Sequence, residues 1–192
     1  MITLHLPSCL DDHPREASLI GRLVLKYGEL EWMLARVAAC VNGDLDIVLK
    51  AMYRTRGELA RLDIAEAFVG RRIKDAWISE IFSETFAAID VCRKIRNSYA
   101  HAHWISGQEH QLGFYDLEHL AKSKTVVDLQ SMRRSTFDIA VLSDQHRYFA
   151  EVLHNLVHVF YDLERPGTPL NDHGFISPIR PPRRAVVTPN PA

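Results

Sequence analysis

Residues 92–104, CRKIRNSYAHAHW, gather Arg93, Lys94, Arg96, Asn97, His101 and His103 in one short segment. Arginine presents a planar fork of donors that matches the oxygens of a phosphate. Histidine, with an ordinary pKa of about 6.5, can take or give a proton at cell pH, and the end of a helix favours its charged form. A guanidinium and an imidazole in one site can therefore hold an RNA backbone and cleave it without a metal. The imidazole moves protons to or from the 2'-hydroxyl or the leaving oxygen, and the guanidinium offsets charge on the pentavalent phosphorus.

Spacing restricts how such a site is built. On an ideal helix Arg96 and His101 lie about 140° apart, so they do not stack. Asn97 and His101 do stack, at i,i+4, and Arg96 and His103 stack at i,i+7 if the helix runs that far. At about 100° per residue, Ile78, Ile81, Ala88, Ile89, Cys92, Ile95 and Tyr99 fall in one apolar arc of roughly 120°, and Arg96 falls inside it. An arginine there must reach a partner charge, a wet groove or another subunit. Two copies that each give Arg96 and His101 to a shared cleft satisfy this most easily. A purely structural reading competes, in which Arg96 pairs with Glu31 or Glu29 and His101 caps the helix. Tyr99 and Trp104 flank the segment and either stack on a base or join the core.

The elements that must position these residues are helical. Asp11 and Asp12 before Pro14 suit a helix start. Ile20, Leu23, Tyr27, Leu30, Leu34, Val37 and Val41 then recur every three or four residues over about 42 Å of helix, up to a stop at Gly43. LDIVLKAMY gives a short second helix. Thr55 and Glu58 suggest a capping box for a third, buried through Leu59, Leu62, Ala65, Phe68 and Val69. The fourth runs from about Asp75 to Tyr99 or beyond. Ser135 and Asp138 suggest another capping pair, followed by Ile139, Leu142, His146, Phe149, Leu153, Leu156, Phe160 and Leu163 at alternating spacings of three and four. The expected fold is an all-α, up-and-down helical bundle over 14–163. Within it, 105–134 breaks the pattern, and HQLGFYDL and TVVDLQ suggest a small β-hairpin insertion. Residues 165–192 hold seven of the nine prolines and read as a disordered, basic tail.

Composition sets outer limits. At 192 residues, 47% hydrophobic and 24% charged, the chain can build its own core and is not disordered as a whole. The formal charge of -1 excludes a general polycation, so nucleic acid would need a local patch, for which Arg71, Arg72, Lys74, Arg93 and Lys94 are candidates. Cys9, Cys40 and Cys92 match neither a disulfide scaffold nor a zinc ribbon, which makes the reducing cytoplasm the default. The opening MITLHLPSCLDD lacks the features of a signal peptide, and no later run suggests a membrane span. His110, His119, His146, His154 and His158 need no function. His154 and His158 have metal-ligand spacing but no supporting neighbour, and no metal or cofactor is expected.

Arg96-Asn97-Ser98-Tyr99-Ala100-His101 resembles the Arg-x(4–6)-His signature of HEPN domains, a family of helical nucleotide-binding proteins and RNases. The segment YGELEWML, containing Glu31, is similar to the first long helix of some bacterial members. The resemblance covers roughly 14–163. It implies a metal-independent endoribonuclease with Arg96 and His101 as the catalytic pair, Asn97 orienting the site or contacting phosphate, and Glu31 as a further polar member. It also implies a homodimer with facing motifs, RNA as substrate, and a role as a toxin or phage-defence effector with a protein antitoxin or regulator. Other members are non-catalytic and bind nucleotides or proteins. One toxin subgroup carries a tyrosine two positions after the histidine. Here that position is His103, which either replaces the tyrosine's hydrogen bonding or joins the site.

Overall fold

The computed structural model describes residues 9–70, 72–106, 111–122, 132–166 and 174–189. Along the chain these form α1 (Pro14–Asn42), α2 (Leu45–Arg54), α3 (Glu58–Val69), α4 (Ala76–Ala100), β1 (Ala102–Ser106), β2 (Leu112–Asp116), α5 (Leu117–Ala121), β3 (Arg133–Thr136), α6 (Ile139–Glu164) and β4 (Val186–Pro189). The fold is mostly helical, but it is not all-α: four antiparallel strands form one sheet in the order β1-β2-β3-β4.

Local chemistry sets the helix ends. α1 starts at Pro14 and stops before Gly43, whose φ of 79° is the left-handed conformation glycine tolerates. The Asp75 carboxylate caps α4, accepting the Trp77 and Ile78 amides at 2.9 and 3.0 Å. Asp138 caps α6 through the Val141 amide at 2.8 Å. Its expected partner Ser135 lies instead in β3. The expected Thr55–Glu58 capping box is also absent. α3 is entered through Gly57 at φ 94° with no side-chain cap, and the Thr55 hydroxyl donates to the Ala51 carbonyl at 2.9 Å. Most of the apolar stripe positions are buried; Leu59 and Ile139 in the first turns are exposed, and Val41, Phe68, Leu153 and Leu163 are half-buried.

The chain divides into two compact units, and α1, α4 and α6 contribute to both. The first comprises Met1–Val24, Ile95–Arg147 and Pro182–Ala192. Its core contains Leu23, Tyr99, Leu112, Phe114, Phe137 and Leu142, and the His146 ring hydrogen-bonds the Leu19 carbonyl at 2.8 Å. The second comprises Leu25–Lys94 and Tyr148–Pro181, around Tyr27, Leu34, Met52, Leu62, Ile89, Phe149 and Leu156. Cys92 is buried among them, and that burial pushes its thiol pKa well up, so the side chain acts as packing. No helix among the described residues is long and apolar enough to cross a membrane.

The sheet shares one strand with the expected hairpin, β2 within HQLGFYDL, and otherwise departs from it. It begins at Ala102, directly after α4, and pairs β1 with β2 so that Trp104 faces Phe114. AHWIS carries no breaker residue, so a helical wheel runs straight through it; in the strand the half-buried Trp104 packs against Tyr99, Phe114 and Phe137. TVVDLQ lies outside the described residues.

The tail also departs from expectation, because 174–189 is placed by polar side chains of the helices. In the second unit, Asn155 brackets Ile176: its Oδ1 accepts the amide at 3.0 Å and its Nδ2 donates to the carbonyl at 2.9 Å. Glu84 accepts from the Ser177 hydroxyl and the Ile179 amide at 2.8 and 3.0 Å. In the first unit, the Arg183 amide donates to Asp144 Oδ2 at 2.7 Å, Gln145 Nε2 donates to the Arg183 carbonyl at 3.1 Å, and β4 pairs with β3. Proline supplies no amide, but these contacts use the amides that remain.

The Arg183 amide and then the Arg147 guanidinium hold the Asp144 carboxyl below the usual carboxylate range. The tether is therefore at full strength at neutral pH and is lost as acid protonates Asp144, below about pH 4. Hydrogen exchange should show the protection factor of the Arg183 amide collapsing across that acid range while the buried amides around Leu142 stay protected. Undiminished protection at Arg183 would contradict the tether.

Candidate functional site

α4 ends in the residues of the motif. The His101 amide donates to the Asn97 carbonyl at 3.1 Å, closing the last helical turn, and the His101 carbonyl accepts the Leu117 amide of α5 at 3.3 Å. The backbone at His101 is thus held from both sides while its side chain is exposed. The helix does not continue to His103, so the predicted i,i+7 stacking of Arg96 and His103 does not form. His103 is an exposed residue of β1, opposite Tyr115 of β2.

Arg96 is half-buried, as expected of an arginine in the apolar arc, and its Nη1 donates to Asn97 Oδ1 at 2.9 Å. Asn97 therefore touches both members of the candidate pair: its side chain receives the guanidinium and its carbonyl receives the His101 amide. The wheel gives no sign of the bond from Arg96 to Asn97.

Tyr99 and Trp104 shape the site from beneath. With Phe114 and Phe137 they form a cluster in which all six ring-centroid distances lie between 5.3 and 5.9 Å. Tyr99 is buried, and its hydroxyl donates to Gln145 Oε1 at 2.6 Å. Burial drives the Tyr99 pKa well up, so it stays a neutral donor. Tyr99, Phe114 and Phe137 are buried and Trp104 is half-buried against them, so the cluster positions the motif and Tyr99 offers no face to a base.

Strand pleating puts Trp104 and Phe114 on the inner face of the sheet, so His103 and Tyr115 lie on the other, with Ile105 and Gly113. Arg134 shares that outer face, its Cδ 3.1 Å from where a Gly113 side chain would begin. The absent side chain lets the arginine stem cross the strand. Sequence reasoning missed Tyr115, Arg134 and Gln145. The alternation in LGFYD was the available signal for the first of these; nothing local marks the other two.

The remaining candidates have other engagements. Glu31 is buried and accepts from Arg61 Nε at 2.9 Å, an ion pair between α1 and α3. Arg93 and Lys94 both bind Asp90, each at 2.7 Å. Hydrogen bonds from those two cations outweigh the effect of burial and hold the Asp90 carboxyl below its usual range. Arg72 bonds Asn42, and Arg71 lies outside the described residues. The expected basic patch is in this way partly spent on local partners. The His154 and His158 rings lie 4.3 Å apart, with His154 Nε2 bonded to the Gly174 carbonyl at 3.3 Å. Among the described residues, no group of three or more His, Cys, Asp or Glu side chains could hold a metal.

Comparison of the chain with known protein families, with curated proteins and with solved structures finds no match.

Two variants separate the positioning role of the cluster from the chemistry. Phe114→Ala removes a buried ring and should cost about 3–5 kcal/mol. Tyr99→Phe leaves the buried Gln145 amide without its donor and should cost about 1–3 kcal/mol. Denaturant melts check both, and a Tyr99→Phe variant as stable as wild type would remove the hydroxyl from this account.

Proposed function

We propose that the chain is a HEPN-like ribonuclease that cleaves RNA at the end of α4, with Arg96 and His101 as the reacting pair. The observation that carries this reading is the position of Asn97, bonded to the Arg96 guanidinium through its side chain and to the His101 amide through its carbonyl. It gives the two groups a common frame while leaving the imidazole open to solvent.

The reaction is a transesterification. The ribose 2'-oxygen attacks the adjacent phosphorus, the bond from phosphorus to the 5'-oxygen breaks, and a 2',3'-cyclic phosphate and a 5'-hydroxyl remain. The imidazole takes the proton from the 2'-hydroxyl or gives one to the leaving oxygen. Arg96 stabilises the negative charge that gathers on the phosphoryl oxygens. Each copy supplies one His101, so a homodimer with facing motifs offers a base and an acid at once. Arg134 and His103, on the outer face of the sheet, supply cationic and hydrogen-bonding contacts to the flanking backbone.

In this reading α1, α4 and α6 form the up-and-down bundle of the family. The protein works in the cytoplasm as a toxin or phage-defence effector and is restrained by a protein partner. A non-catalytic nucleotide-binding or interaction module is the second reading. It is favoured by the engagement of Arg93 and Lys94 with Asp90, which leaves less charge for an RNA backbone.

Incubation with mixed RNA in EDTA separates the two. His101→Ala should lower the cleavage rate about 10²–10⁴-fold without changing the melt, because the side chain is exposed. Arg96→Ala should lower it comparably and also reduce stability. Equal cleavage by wild type and His101→Ala would remove the enzyme reading.

A further inference from the structure

An exposed tryptophan at the start of α4 marks a second site. Trp77 retains 56% of its surface, and its ring meets Phe175 of the tail segment edge to face, at 4.7 Å and 83°. The two rings form adjoining walls of a cleft of about 420 Å³, completed by Glu80, Ile81, Glu84, Gly174 and Ser177. Among the described residues its charged lining is acidic: Glu80 and Glu84 stand one turn apart on α4, and no lysine or arginine lines it.

The two carboxylates do different work. Both oxygens of Glu84 are engaged, with the Ser177 hydroxyl and the Ile179 amide, which fixes the segment carrying Phe175 against the helix. Glu80 is exposed and makes no hydrogen bond or ion pair among the described residues. The positive end of the α4 dipole, which would repel a cation, is covered by the Asp75 carboxylate on the Trp77 and Ile78 amides. His158 lies on Phe175, at 5.4 Å between ring centroids, and does not line the cleft.

Aromatic faces attract cations through their quadrupoles, most strongly when the cation is bulky and weakly hydrated. A carboxylate beside the rings adds charge attraction. We propose that this cleft binds a quaternary or fully methylated ammonium group, held by Trp77 and Phe175 with Glu80 as counter-charge. A protonated primary amine would pay more to leave water, and an anion would meet two carboxylates. The site is independent of the ribonuclease reading and stands or falls without it.

The test uses the full chain and tetramethylammonium chloride, with potassium chloride matching ionic strength. The Trp77 indole resonance, assigned by its loss in Trp77→Phe, should shift saturably, with a dissociation constant on the order of millimolar. Choline should bind about tenfold more tightly than its neutral isostere 3,3-dimethylbutan-1-ol. By calorimetry, Trp77→Ala and Glu80→Gln should each weaken choline about tenfold; both side chains are exposed, so both variants should fold. Glycerophosphocholine and Nα-acetyl-trimethyllysine distinguish a lipid headgroup from a peptide side chain as the source, the tighter binder identifying it. No saturable shift, equal binding of the neutral isostere, or undiminished affinity in Trp77→Ala would each overturn the proposal.

Discussion

The turn at His101 is anchored on both sides by one aromatic cluster. Tyr99 enters it two residues before the histidine and Trp104 three residues after, and Phe114 and Phe137 close around them. A chain pinned at both ends of so short a span has little freedom to reorient. The hydroxyl of Tyr99 adds direction to this packing, because its bond to the Gln145 amide joins the end of α4 to the start of α6. Gln145 in turn holds the Arg183 carbonyl, so the motif, the sheet and the returning tail share one buried polar connection. Buried donors and acceptors of this kind are costly when left unmade, which is why they fix geometry more sharply than apolar contact alone.

The helices were legible because burial repeats along them. Leu23, Tyr27, Leu30 and Leu34 in α1, and Leu142, Phe149, Leu156 and Phe160 in α6, lie inside at the spacing their sequence announces. Caps were legible where a carboxylate stood at the boundary, as at Asp138, and illegible where a glycine entered the helix through its backbone freedom, as at Gly57. β2 was legible in HQLGFYDL, but β1 was not, because nothing within AHWIS itself stops a helix. Trp104 finds its partners at positions 114 and 137, a non-local choice that no local pattern contains.

The tail shows the same limit from the opposite direction. Its prolines and arginines have the composition of a chain that cannot bury a core, and it does not need one. Asn155, Glu84 and Asp144 look like ordinary polar helix residues in the sequence, yet each receives a tail amide. At the candidate site, the types of Arg96, Asn97 and His101 could be read directly, and their angular relation about α4 could be computed. Their connection through Asn97, the pairing of Glu31 with Arg61 and the arrival of Arg134 beside Gly113 depend on folding.

The central claim is that Arg96 and His101 meet one RNA phosphate. It is tested most directly by titrating an RNA oligonucleotide with 2'-deoxy substitution at the cleavage position, which binds without reacting. The Arg96 side-chain resonance and the His101 ring resonances are followed together by NMR. The account predicts that both shift with the same dissociation constant, weakening together as salt is raised. Saturable binding that moves neither resonance, or moves the arginine alone, would contradict it.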